Sequence, residues 1–187
     1  MKHLFQDKRV GLVGNATSLF DLSYGKEIDS HDVVVRLNKA AMLYDRFDSA
    51  KSHGTKTHVW MFWAVNEYHR LFSKHPNVVK MHMGHQYRNS NLIKLVDFVY
   101  PMDLYDVLRK KAGPLRNPTT GFIAIDYILH SKPVILNVYG FDWKKTPTFT
   151  DPDRRKEKRC PHNYDVEEEY CRNHIFTLPH VFLRNDK

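Results

Sequence analysis

The sequence predicts an α/β fold, a Rossmann-like three-layer α/β/α sandwich, and three observations carry that prediction. Val10-Gly-Leu-Val-Gly-Asn15 is a short apolar run that enters a turn of small residues. Roughly twenty residues later, Val33-Val-Val-Arg-Leu-Asn38 is β-branched and apolar enough for a second buried strand. Strand signals of this kind then alternate with helix signals along the chain, as βαβ units require.

Taken in order, Val10–Val13 reads as the first strand, and Leu19–Tyr24 as a short helix or loop before Gly25. Asp32–Leu37 is the second strand, and Ala40–Lys51 is open between a loop and a broken helix. Thr57–Phe62 is a third strand, Asn66–Ser73 a short helix ended by Pro76, and Val78–Met81 a fourth strand. Pro101 opens a helix over Met102–Lys111, because proline suits the first turn. Gly113-Pro-Leu-Arg-Asn-Pro118 is the clearest break. After it, Thr119 or Thr120 caps a helix to His130 with Phe122, Ile125 and Ile128/Leu129 on one stripe. Ile135–Val138 is another buried strand. From Asp142 to His162 the composition turns to Lys, Thr, Pro, Asp and Arg, which reads as a long mobile loop of the active-site-lid kind. A helix over Tyr164–Asn173 and a strand near Val181–Leu183 follow.

The chain of 187 residues is of a size for one domain, 1–187, with 42% hydrophobic and 13% aromatic content. No signal-peptide pattern opens it, and no run of about 18 apolar residues marks a membrane span, so a soluble, cytoplasmic protein is expected. Cys160 and Cys171 form no disulfide framework, which fits a reducing compartment. A zinc site joining them to His162 and His174 would need the tight Cys-x-His spacing and is disfavoured. The net charge of +8 favours an anionic partner without choosing among nucleotide, acidic glycan, lipid headgroup and nucleic acid. The densest basic run, Arg154–Arg159, has a solvated loop as its plain alternative. No zinc finger, Gly-x-x-Gly or RNP-like motif points to a dedicated RNA-binding domain.

Gly11 and Gly14 remove Cβ where the chain turns or meets a ligand, and Asn15 sets an amide at the strand's C-terminal edge, where open α/β sheets bind ligands. The turn is not a Walker loop, since Gly14 is followed by Asn-Ala-Thr-Ser, and it lacks the third glycine of a dinucleotide fingerprint.

Three ordered segments resemble the sialyltransferase family of the animal Golgi. Val13-Gly-Asn15, Gly25-Lys-Glu-Ile-Asp29 and Asp32 through Ala40 are similar to its large motif. Asn117-Pro-Thr-Thr-Gly121, Ala124 and Val138-Tyr-Gly-Phe141 are similar to its small motif, and His162-Asn-Tyr-Asp-Val-Glu167 to its very small motif. The resemblance implies a variant glycosyltransferase-A fold. It also implies an inverting, metal-independent transferase using a CMP-sugar donor, usually CMP-sialic acid, with no further cofactor. It assigns Asn15 and Asn38 to the phosphate and ribose side of the donor, and Thr119, Thr120 and Gly121 to the cytidine. His162 is then the catalytic base, and Glu167 a structural support. The acceptor would be a hydroxyl of a glycan or glycolipid.

Two departures stand out. The segments that Golgi members join by a disulfide contain no cysteine, and no histidine lies between Phe141 and Pro161, where the third motif has one. Lys144, Lys145 or the basic run are the candidate replacements. A compact member lacking a stem suits a viral or bacterial source, and with the +8 charge it leaves a second acceptor open, a hydroxylated base in DNA. A non-catalytic nucleotide-binding domain is the third reading. Asp151-Pro-Asp153 has the form of a metal-binding Asp-x-Asp but sits in a basic, proline-containing loop, so no metal is expected. Among the other histidines, His31, His58 and His130 read as structural, while His82 and His85 are candidates for the acceptor side. Trp60, Phe62 and Trp63 read as core or rim, with an acceptor sugar able to stack on one of them.

Overall fold

The computed structural model describes residues 2–43, 49–85, 90–113, 116–149 and 162–185. Seven strands form one sheet: β1 (Arg9–Val13), β2 (Val33–Leu37), β3 (Val59–Phe62), β4 (Val79–His82), β5 (Phe98–Val99), β6 (Ile135–Tyr139) and β7 (Val181–Arg184). Their order is β5-β4-β3-β2-β1-β6-β7, and each pairing between neighbours is parallel. The helices are α1 (Gly25–Asp29), α2 (Ala40–Leu43), α3 (Ala50–His53), α4 (Val65–Tyr68), α5 (Met102–Lys111), α6 (Thr120–His130) and α7 (Tyr164–Tyr170). Short 3-10 turns lie at Thr17–Asp21, His69–Lys74 and Asn91–Leu95, and a π-helical turn, Cys171–Ile175, extends α7.

Alternation along each strand divides the side chains between two covered faces. Val10, Leu12, Val35, Leu37, Val59, Met61, Leu136 and Val138 join the core that α5, α6 and α7 close with Tyr105, Leu108, Phe122, Ile125, Ile128 and Cys171. On the opposite face Val13, Val34 and Tyr139 pack with Leu19 and with Ile28 of α1. Trp60 and Phe62 pack there with Val65, Tyr68 and Phe72. That face also buries Arg36, whose guanidinium donates to the carbonyls of Lys56 (2.8 Å) and His53 (2.8 Å) and to Thr57 Oγ1 (3.0 Å). These bonds offset part of the cost of burying the cation. The three-layer α/β/α architecture is the one expected from the alternation of signals.

The differences lie in short elements. β5 has two residues, held by pairing with Met81 and His82, and no local pattern marks it. α1 occupies the Gly25–Asp29 segment, too short for a helical period to register. Ala40–Leu43 and Ala50–His53 are both helical, and residues 44–48 lie outside the described residues. The first part of the expected mobile loop is instead a built turn. Asp142 accepts from Thr146 N–H (2.9 Å) and from the Thr146 hydroxyl, Thr148 bridges to Ala16, and Phe149 N–H donates to the Asn15 carbonyl (3.1 Å). Arg154–Arg159, Cys160, Asp151 and Asp153 lie outside the described residues.

Candidate active site

The strand order makes β1 a divide: β2 to β5 extend to one side of it, and β6 and β7 to the other. Such a switch leaves a crevice between the loops that follow β1 and β6, the usual ligand position in open α/β sheets. A cavity of about 510 Å³ lies there, with Gly14 and Asn15 on one wall and Gly140 to Lys144 on the other. Asn15, Asn38, Thr119, Thr120, Gly121 and His162 all line it, although they come from four separate stretches of chain.

Each is held by a local cause. Asn15 follows β1 and lines the cavity, and its side-chain Oδ1 is buried with no hydrogen-bond partner among the described residues. Asn38 follows β2 in the left-handed region (φ 49°), which asparagine tolerates better than most residues. Its main-chain carbonyl accepts from Trp60 Nε1 (2.7 Å) and its Oδ1 from Trp63 N–H (3.2 Å), so the amide NH2 is the donor it has to offer. Thr119 is the N-cap of α6, its Oγ1 accepting from Phe122 N–H (3.0 Å). The first turn of α6, Thr120 and Gly121, therefore brings the positive end of an eleven-residue helix to the cavity, an arrangement that favours anions.

Two glycines at the site answer a packing need. A Cβ on Gly14 would come within 2.5 Å of the Gly140 carbonyl, and one on Gly121 within 2.6 Å of the Phe141 ring. Phe141 is wedged between the β1 turn and the start of α6, and both glycines make room for it.

His162 precedes α7, and its Nδ1 lies 2.8 Å from the Asn117 carbonyl oxygen. A carbonyl only accepts, so Nδ1 carries the proton and the neutral ring keeps its lone pair on Nε2. Five residues on, Glu167 is almost fully buried. Its carboxylate accepts from Thr119 N–H (2.7 Å) and from the Thr119 hydroxyl (2.6 Å), tying α7 to the start of α6. Burial pushes its pKa up to about 7, against the lowering effect of those two bonds.

Among the described residues, Lys39 after β2 and Lys144 after β6 line the cavity. Of the candidate substitutes for the missing histidine, Lys144 lines the site with its Nζ 3.4 Å from Thr148 Oγ1. Lys145 instead pairs with Glu168 on α7 at 2.5 Å. The acceptor-side candidates divide as well. His82 is fully buried on the sheet face beside Phe62, so it does not line the cleft, because strand alternation turns it away. Trp60 and Phe62 share that face and are core, whereas Trp63, one residue beyond β3, lines the cavity. His85 packs against Trp63 (ring centroids 5.0 Å apart) and its Nδ1 meets Tyr105 Oη at 3.1 Å. The zinc reading finds no support at Cys171, whose thiol is buried in the core and pushed up by that burial, nor at exposed His174. Among the described residues no three His, Cys, Asp or Glu side chains cluster as a metal site would need.

Sequence reasoning missed Glu67 and Tyr68, on α4, and Thr148 as parts of the cavity wall. Glu67 and Tyr68 follow β3 closely, so the rule that strand ends carry function was the available signal; Thr148 carried none.

The segment from residue 8 to residue 110 matches the profile of glycosyltransferase family 29 (sialyltransferase). The mouse CMP-N-acetylneuraminate-beta-galactosamide-alpha-2,3-sialyltransferase 1 is 56% identical over 39 residues, 21% of this chain and 12% of the mouse protein. The human protein of the same name is 58% identical over 33 residues, 18% of this chain and 10% of the relative. The matched stretch is thus a small part of these relatives' length. A mammalian sialyltransferase solved in complex with Gal-beta-1-3GalNAc-ortho-nitrophenol superposes with a TM-score of 0.70 at 17% identity, over 100% of this chain and 72% of that one. The Campylobacter jejuni sialyltransferase CstII, solved with cytidine-5'-monophosphate, gives 0.55 at 12% identity, over 95% of this chain and 80% of that one. The fold is thus the glycosyltransferase-A-like variant seen in sialyltransferases. With the family profile covering more than half of its residues, the chain belongs to glycosyltransferase family 29, the sialyltransferases.

Proposed function

We propose that residues 1–187 form one catalytic domain that transfers a sugar, sialic acid or a close relative, from a CMP-activated donor to a hydroxyl of a glycan or glycolipid. The observation that carries this reading is His162, held with Nδ1 on the Asn117 carbonyl at the rim of a cavity that also contains Asn15, Asn38 and the start of α6. In this reading the nucleotide lies along the β1 turn and α6, its phosphate facing the helix N-terminus and Lys144. His162 Nε2 takes the acceptor hydroxyl's proton as that oxygen bonds to the anomeric carbon. The bond from that carbon to the phosphate oxygen breaks with its electron pair, CMP departs, and a single displacement inverts the centre. The leaving phosphate is already a weak base, so no protein acid is needed, and the positive end of α6 stabilises the charge that develops.

No helix among the described residues is long and apolar enough to cross a membrane. A reducing compartment, the cytoplasm, is the location that goes with this reading. The +8 charge favours a hydroxylated DNA base as the second acceptor class to assay. The test is turnover with CMP-, UMP-, UDP- and GDP-linked sugars, with and without a chelator, on a galactoside and on hydroxylated duplex. Chelator-resistant transfer from a CMP-sugar to the galactoside is expected. Turnover of a UDP-sugar alongside inactivity with every CMP-sugar would overturn the donor assignment.

A further inference from the structure

His162 is aligned through a backbone carbonyl in a loop, and a loop carbonyl is only as fixed as the segment that bears it. The Asn117–Thr119 segment is gripped at both ends. On the far side, Thr119 N–H donates to buried Glu167 at 2.7 Å. On the near side, Tyr105 Oη donates to Asn117 Oδ1 at 3.3 Å. Tyr105 projects from the buried stripe of α5 and is almost fully enclosed, so its hydroxyl has little room to choose another direction. Behind it, His85 Nδ1 lies 3.1 Å from the same hydroxyl. The oxygen accepts from His85 and donates to Asn117, which sets the direction of the whole run. Aromatic contacts hold the two rings together, with His85 and Tyr105 centroids 5.2 Å apart, Trp63 edge-on to His85 and tilted against Tyr105.

We infer that Tyr105 is a positioning residue for His162: its hydroxyl, backed by His85, fixes Asn117 so that the Asn117 carbonyl keeps His162 in the Nδ1–H tautomer. The inference rests on the reading of His162 as the base. Tyr105 touches no reacting atom in this account; it acts through Asn117 alone. The geometry also gives His85 a task, since it does not line the cavity and yet packs against Trp63, which does. Removing the hydroxyl leaves Asn117 Oδ1 without that donor while the ring packing survives, and the segment is then anchored only at its Thr119 end. A base displaced by a fraction of an ångström loses rate without losing affinity for the nucleotide.

The decisive variant is Tyr105→Phe, which keeps the ring in the core. Its kcat for transfer from CMP-sialic acid to a galactoside is expected to fall roughly tenfold or more, with the donor KM within about twofold of native. Long-range 1H–15N correlation of the His162 imidazole in the unliganded protein is expected to change from the Nδ1–H tautomer toward a mixture with Nε2–H. In a double-mutant cycle Tyr105→Phe is expected to add nothing to His162→Gln, because the two act through one path. A Tyr105→Phe protein with native kcat and the native tautomer overturns the inference, as does an equal further loss on the His162→Gln background. If His162→Gln alone keeps the native rate, the base reading fails; a changed tautomer in Tyr105→Phe would then still uphold the coupling between the two residues.

Discussion

Glu167→Gln tests the electrostatics of the site through stability. Glu167 is a carboxyl with 1% of its surface exposed, and burial raises its pKa from the ordinary 4.5 to about 7. Below pH 4.5 it is protonated in both the folded and the unfolded chain, so its full contribution to stability is present. As pH rises, the unfolded chain ionises first and the folded chain resists, and the contribution is lost by the time pH passes about 7. The difference between 4.5 and about 7 corresponds to roughly 3 kcal/mol. Glutamine keeps the volume and a carbonyl for Thr119 N–H but cannot ionise. Urea unfolding of both proteins, followed by the fluorescence of the three tryptophans, gives the two stabilities across the range. The native protein is expected to lose about 3 kcal/mol relative to Glu167→Gln between pH 4.5 and about pH 8, the subtraction cancelling other titrating groups. Stability curves that stay parallel within about 0.5 kcal/mol across that window would refute the raised pKa and its cause.

Asn15→Ala is expected to weaken CMP binding by roughly 1–3 kcal/mol in calorimetry, while the melting temperature holds or rises, because the variant removes a buried acceptor that has no partner in the unliganded chain. Unchanged CMP affinity would remove Asn15 from the nucleotide site. His162→Gln is expected to lower kcat by roughly 10²–10⁴ with CMP affinity retained, since a base acts on the acceptor rather than on cytidine. Near-native transfer by that variant would exclude the role.

Much of the fold was legible in the sequence because each central strand is buried on both faces. Val33–Leu37 and Ile135–Tyr139 have no exposed alternation to keep, so mainly apolar runs, each broken by one polar residue (Arg36, Asn137), marked them. The cap was legible to within Thr119 or Thr120 for a similar reason, and the structure sets it at Thr119, whose hydroxyl accepts from Phe122 N–H. β5 was not legible, because two residues acquire strand character only from their neighbours in β4. The site followed the same division. Asn15, Asn38 and His162 stood out beside strands and a helix start, whereas Thr148 reaches the cavity through folding alone.

By itself the sequence determined the parallel α/β class, the ends of its main strands and the residue types that meet at their C-terminal edges, since apolar runs, caps and breaks act over a few residues. Only the tertiary structure decided that Gly14 and Gly121 make room for Phe141, that His82 turns away from the cleft while Trp63 lines it, and that His162 is held through Asn117. Each of these depends on contacts between segments far apart in the chain, such as Asn117 and His162, 45 positions apart. No local pattern carries information about such distances, because they are set by the order in which the strands pair and by the packing that closes over them.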